Sequence, residues 1–308
     1  MTPIKPLLWA ELTWEQIAAV RTENIDMVIF PIGSTEQHGP HLPLNVDTLS
    51  AEVIAHAVSS QTGVPVLPTM PFGCALGHTH FWPGTLSLSP QTLAAVVREV
   101  LEDVVAYGFH RVLVLSGHVM NAAPLRCALE ELRHKYPHLQ IAQKHVCEAS
   151  IRVQELYSSD AQDWHANAAE TALMMHIAPD LVHHDRIFDD PDRTRNLVFS
   201  YAVPQTSQSG HTGEPSKATP EMGAELFAAV VRDWTYVVKK ALNEQAPLRP
   251  VSPPASDESS TRFERETTID TSPLAQPPIC GPPPEFAPQK FASQTQPDTA
   301  DLFRAPSL

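Results

Sequence analysis

The chain has 308 residues, 43% of them hydrophobic, and a formal net charge of -14. Length and apolar content allow a sizeable buried core, in one large α/β domain or two small ones. So negative a chain, with its Lys and Arg scattered, lacks the dense basic patch that a nucleic-acid partner requires, and a small neutral or cationic substrate fits better.

Cys74, Cys127, Cys147 and Cys280 form no CxxC pair, and the N-terminus has no charged segment leading into an apolar one. Both features predict a reducing, cytoplasmic setting. Apolar runs such as 112–115 are of strand length, far short of the roughly 20 residues a bilayer span needs, so no membrane segment is expected.

In chain order, a strand is predicted over 26–32, a helix over 50–60, a strand over 64–68 and a helix over 91–107. A strand over 111–115, a helix over 123–135 and a strand over 140–145 follow. The 91–107 helix starts after Ser89-Pro90, carries Leu93, Val96, Val97, Val100, Leu101, Val104 and Val105, and stops at Gly108. Strands alternating with helices imply βαβ units, hence a layered α/β/α fold with a mostly parallel central sheet. From about residue 245 the composition changes, and 13 of the 30 prolines lie between Pro247 and Pro306. Residues 1–244 are therefore read as one folded domain and 245–308 as a disordered tail dispensable for chemistry.

Three segments carry candidate chemistry, and two directly follow strand-like runs, where open α/β sheets form their ligand sites. The first, PIGSTEQHGPHLPLNVDT at 31–48, sets Glu36, His38 and Asp47 in a Gly- and Pro-rich stretch. Mixed carboxylate and imidazole donors suit Zn or Mn, and a carboxylate shared by two ions, here Asp47, can bridge a pair about 3.5–4 Å apart. The second, LSGHVMN at 115–121, puts His118 just past a buried strand and a glycine. In the third, DWHANAAETALMM at 163–175, Asp163, Trp164 and His165 lead into a helix carrying Glu170. Taken singly, Glu36 and His38 read as solvated loop residues, His118 as a core histidine and Glu170 as a surface or capping carboxylate. His183 and His184 read as exposed loop residues, and Met174-Met175 as helix core.

These segments resemble the creatininase family, the creatinine amidohydrolases, over about residues 8–241. The first matches the family's PxGSxEQHGPHLPLxxD at thirteen positions, Pro31, Gly33, Ser34, Glu36, Gln37, His38, Gly39, Pro40, His41, Leu42, Pro43, Leu44 and Asp47. Trp82-Pro83-Gly84-Thr85 is similar to FPGT, 116–121 to NGHGGN, and Asp163, His165, Ala166, Glu170 and Thr171 to DxHAGxxETS. Gly210, Gly213, Pro215, Ala218 and Gly223 are similar to a late GxxGxPxxAxxxxG pattern.

The resemblance implies two divalent ions, Zn or Mn with Fe as a further option. Glu36, Asp47 and His118 would hold one, and His38, Asp47 and Glu170 the other. It implies hydrolysis of a C–N amide bond in a small cyclic or linear amide by metal-activated water, with Glu170 and His165 as catalytic groups and His165 protonating the leaving nitrogen. His78, His80, Trp82, Val119 and Trp164 are the candidate substrate contacts. A homo-oligomer, often a hexamer, is implied too, with the 91–107 region as one possible contact.

Met120 departs from the pattern, because family members acting on creatinine are expected to have Glu there. A deformylase, a peptidase trimming a precursor peptide, and a metal-binding protein without turnover therefore stay open. No Gly-rich phosphate loop is present, so no nucleotide cofactor is expected.

Overall fold

The computed structural model describes residues 5–23 and 25–248. Most of the expected tail, and Cys280, lie outside the described residues. Strands β1 (Met27–Ile32), β2 (Arg111–Ser116) and β3 (Gln140–His145) form a parallel sheet in the order β1-β2-β3, with Met27 beside Arg111 and Arg111 beside Gln140.

Because successive strand residues point to opposite faces, β1 and β2 sort their side chains into two cores. Met27, Ile29, Leu113 and Leu115 face helices α2 (Val46–Thr62), α5 (Ile151–Tyr157), α6 (Ala168–Ile177) and α8 (Pro220–Ala241), while α1 (Trp14–Thr22) precedes β1 and the short α7 (Val203–Thr206) precedes α8. Val28, Phe30, Ile32, Val112 and Val114 face α3 (Pro90–Ala106) and α4 (Ala122–Lys135). β1 and β2 are buried almost throughout, as strands covered on both sides must be. This is the layered α/β/α arrangement expected from the alternation of elements.

Helix α3 starts where its signals place it, with Ser89 Oγ accepting from Thr92 N–H and Pro90 in the first turn. Its apolar face turns inward through Leu93, Val97, Leu101, Val104 and Val105, which leaves Val96 and Val100 partly exposed. With Tyr107 they form the apolar part of the 91–107 region that stays on the outside.

Two expectations need correction. Residues 64–68 do not form a strand: Val66 makes isolated parallel bridges to Leu8 and Ile29. Pro65 and Pro68 lack the N–H donors that a longer ladder would use. The first long helix begins at Val46, not near residue 50, which brings Asp47 into its first turn. Among the described residues, no helix is long and apolar enough to cross a membrane.

Candidate active site

The groups singled out from sequence meet beyond the carboxyl ends of β1 and β2. Glu36 and His38 lie on the loop leaving β1, His118 follows β2, and Asp47 and Glu170 stand in the first turns of α2 and α6. Helix N-termini carry partial positive charge, so they are suitable places to bury a carboxylate. Glu36, His38, Asp47, His118 and Glu170 are all buried.

Donor atoms of Glu36, Asp47 and His118 fall within 4.8 Å of one another, and so do those of His38, Asp47 and Glu170. Asp47 belongs to both trios. Glu36, His38 and His165 form a third such group.

Backbone carbonyls set the histidine tautomers, since a carbonyl can only accept. His118 Nε2–H donates to Cys74 O (3.1 Å), which turns Nδ1 toward Glu36 Oε2 (3.1 Å) and Asp47 Oδ2 (3.3 Å). His38 Nδ1–H donates to Glu36 O (3.1 Å), which leaves Nε2 3.3 Å from Asp47 Oδ1. His165 Nε2–H donates to Gln37 O (2.8 Å), so Nδ1 faces inward, 3.6 Å from Glu36 Oε1.

Glu170 is held by its helix cap. Asn167 Oδ1 accepts from Glu170 N–H (3.2 Å), and Glu170 Oε2 accepts from Ala166 N–H (2.6 Å). Ala166 adopts φ 48, a left-handed turn between His165, which is bridged to Thr212, and the cap.

Three buried carboxylates this close cannot all stay charged without compensation. Burial pushes Glu36 and Glu170 up to about 7 each, with Asp47 adding to the push. Burial also opposes a charge on His38 and His118, but Asp47 overrides it at His38 (about 10), and Glu36 with Asp47 override it at His118 (about 9). Asp47, between the two imidazoles, is held well below the carboxylate range despite its burial. Burial, with His38 and His78 adding repulsion, pushes His165 well below its ordinary value.

The donor set fits divalent cations on an independent observation: Glu36 Oε1 and His38 Nε2 are buried and have no hydrogen-bond partner. Buried polar atoms are normally satisfied, so atoms left free at the centre of a carboxylate and imidazole cluster are what a cation would complete.

The sequence assigned no role to the groups that brace this cluster. Ser34 Oγ lies 2.6 Å from Asp47 Oδ2 and 3.0 Å from Glu36 Oε2. Asn121 accepts from Cys74 N–H (2.8 Å) and donates to Gly33 O (3.0 Å) and Ser116 Oγ (3.2 Å), tying three site-bearing segments together. Gln37 donates to Gly210 O (2.7 Å) and, with its other amide hydrogen, to His78 Nδ1 (3.0 Å). His145, at the end of β3, donates to Gly117 O (2.8 Å). Ser34, Gln37 and Asn121 lie inside the matched motifs, while no sequence signal marked His145. Gly117 has no side chain because a Cβ there would collide with Asp47 O.

A cleft of about 200 Å³ opens over the cluster, lined by Glu36, Asp47, His118, His165 and Glu170 and by His78, Val119, Met120, Trp164 and Tyr201 among others. His78, Val119 and Trp164 are thus where substrate contacts were expected. His80 and Trp82 are not. The 76–84 loop turns outward, leaves His80 exposed beside Phe72 and Leu76, and stacks Trp82 edge-on against Phe81 at 4.6 Å. Only His78 of that loop reaches inward, standing 3.4 Å from Glu36 Oε1.

Comparisons with known proteins agree on the relationship. The creatinine amidohydrolase family profile (Creatininase) matches residues 10–238. Creatinine amidohydrolase of Pseudomonas putida is 28% identical over 261 residues, covering 79% of this chain and 98% of that protein. The mycofactocin precursor peptide peptidase of Mycolicibacterium smegmatis is 30% identical over 226 residues, covering 70% and 85%. A solved structure of manganese creatininase superposes with a TM-score of 0.67 at 27% identity, over 78% of this chain and all of the other. On these grounds the chain belongs to the creatininase family of metal-dependent amidohydrolases.

Proposed function

We propose that the chain hydrolyses the C–N bond of a small amide at a site for two divalent cations, zinc or manganese. Glu36, Asp47 and His118 hold one ion, and His38, Asp47 and Glu170 the other. The observation that carries this reading is the pair of buried trios sharing Asp47, with Glu36 Oε1 and His38 Nε2 left free.

Bound, the ions supply Lewis acidity toward the scissile carbonyl and acidify water so that it is a nucleophile at neutral pH. The side chains do the rest. Asp47 brings the two trios within reach of each other, while Cys74 O and Glu36 O keep the ligating nitrogens of His118 and His38 aimed inward. His165, its Nε2–H committed to Gln37 O, has only Nδ1 free to carry a proton to the leaving nitrogen. Trp164, Tyr201 and Val119 narrow the cleft and limit water around the reacting amide.

Met120 lines the cleft and offers no carboxylate, which argues against creatinine as the substrate. Trimming of a precursor peptide is the second reading, favoured by the 30% identity to the mycofactocin precursor peptide peptidase. A homo-oligomer is supported by the exposed apolar run Leu197, Val198 and Phe199. We take residues 1–244 as the functional domain, in the cytoplasm, with the proline-rich remainder dispensable for chemistry.

The test is metal content per protomer of the purified full chain, with hydrolysis of creatinine, formamide and short peptides measured before and after chelation. Two ions per protomer and a chelator-sensitive activity are expected. A chain that takes up no stoichiometric metal rules the proposal out.

A further inference from the structure

We infer that the substrate is an amide that carries an apolar substituent and no anionic group, which the cleft mouth receives between Val119, Met120, Trp164 and Tyr201. This rests on the amidohydrolase reading above and narrows it to a substrate class.

The cleft is divided in its chemistry. Its floor is the carboxylate and imidazole cluster, whereas Val119, Met120, Trp164 and Tyr201 form an apolar stretch of its mouth beside Gln162 and Asp163. Val119 and Met120 lie in the short turn right after His118 and are 51% and 60% exposed, and Tyr201, which lines the same cleft, is 47% exposed. Large apolar groups left in water beside a catalytic cluster are unfavourable until something covers them. A thioether adapts to the shape of an apolar or aromatic partner, and Trp164 and Tyr201 line the same cleft.

Charge points the same way. Among the described residues, no Lys or Arg lines the cleft, and Asp163 stands exposed at its rim. A carboxylate on the substituent would lose water at the mouth with no cation to pair with and with Asp163 nearby. The small cleft volume, about 200 Å³, suits one ring or a short aliphatic chain and excludes a long peptide from full enclosure.

A binding experiment tests this without requiring turnover. Hydroxamic acids chelate zinc, so phenylacetohydroxamic acid and succinic acid monohydroxamate differ in what they present to the mouth, a phenyl ring in one and a carboxylate in the other. The full chain is loaded with zinc, its zinc content measured, and both compounds titrated by calorimetry against wild type and Met120→Lys. Wild type is expected to bind the phenyl compound at least about tenfold more tightly. Met120→Lys, which places a cation on the rim at an exposed position, should shrink or reverse that ratio.

Zinc-loaded wild type that binds both equally, prefers the carboxylate, or binds neither overturns the inference while leaving the metal site standing. Failure to take up zinc overturns the functional proposal and this inference with it.

Discussion

The floor and the mouth of the cleft are only a few residues apart in sequence, His118 beside Val119 and Met120, yet they are built in opposite ways. At the floor, where Glu36 Oε1 and His38 Nε2 are left free, the groups are held by others: Ser34 braces Asp47, Cys74 O orients His118, and Asn121 ties the segments around Gly33, Cys74 and Ser116. At the mouth, Val119, Met120 and Tyr201 stand half in water with few constraints. The floor is therefore intolerant of substitution because its geometry is over-determined, whereas the mouth can change what it accepts without disturbing the fold.

Asp47→Ala attacks that contrast hardest. Asp47 belongs to both trios, so the variant should lose both ions and all measurable hydrolysis, as read by metal analysis. Retention of one tightly bound ion would show that the trios are independent. Gly117→Ala should come next. Its Cβ would press on Asp47 O, which is helix backbone, and overpacking of this kind costs about 1–3 kcal/mol. A drop in thermal midpoint accompanied by weakened metal binding is expected, and an unchanged midpoint would mean that α2 can shift freely.

Asn121→Ala removes no ligand but leaves Cys74 N–H and Gly33 O unpartnered. Metal affinity should fall by about 10–100-fold, as for loss of a group that orients ligands, with stability lowered by about 1–3 kcal/mol. Zinc titration and denaturant unfolding separate the two effects.

Asp190 offers a pH test at the floor's outer support. Although its burial works against a charge, Arg193, Ser207 and Ser209 hold its carboxyl down at about 2, and the 207–210 segment it anchors presents Gly210 O to Gln37. The folded-state value lies below the unfolded value near 3.9. Its contribution is thus fully present above about pH 4 and fades as pH falls toward 2. Unfolding measured from pH 5 to 2 should show wild type losing stability that Asp190→Asn lacks at the outset, by about 1–3 kcal/mol. Met120→Ala should matter least to the fold, within about 0.5 kcal/mol, while altering ligand preference. A larger loss of stability would mean that the mouth is structural after all.

The helices Trp14–Thr22, Ile151–Tyr157 and Pro220–Ala241 drew no signal from the sequence. Yet the sequence alone determined the layering and, to within a residue, the ends of β1, β2, β3, α3 and α4, since apolar runs of strand length and the Ser89-Pro90 start of α3 are local properties of neighbouring residues. The same holds for the membership of the cluster. Glu36, His38, Asp47, His118 and Glu170 sit in short motifs whose spacing survives in any fold that brings strand ends together. Tertiary structure alone decided which neighbours of those motifs turn inward. His78, His80 and Trp82 look alike on paper, yet only His78 is caught by Gln37 and drawn toward Glu36, while the rest of the loop swings out. Residues 64–68 read as a strand until Pro65 and Pro68 leave Val66 with isolated bridges. His145 gains its place from β3 pairing beside β2, which sets it against Gly117 across 28 residues of chain. Hydrogen bonds between segments remote in sequence leave no periodic trace within either segment, and only the assembled sheet and loops reveal them.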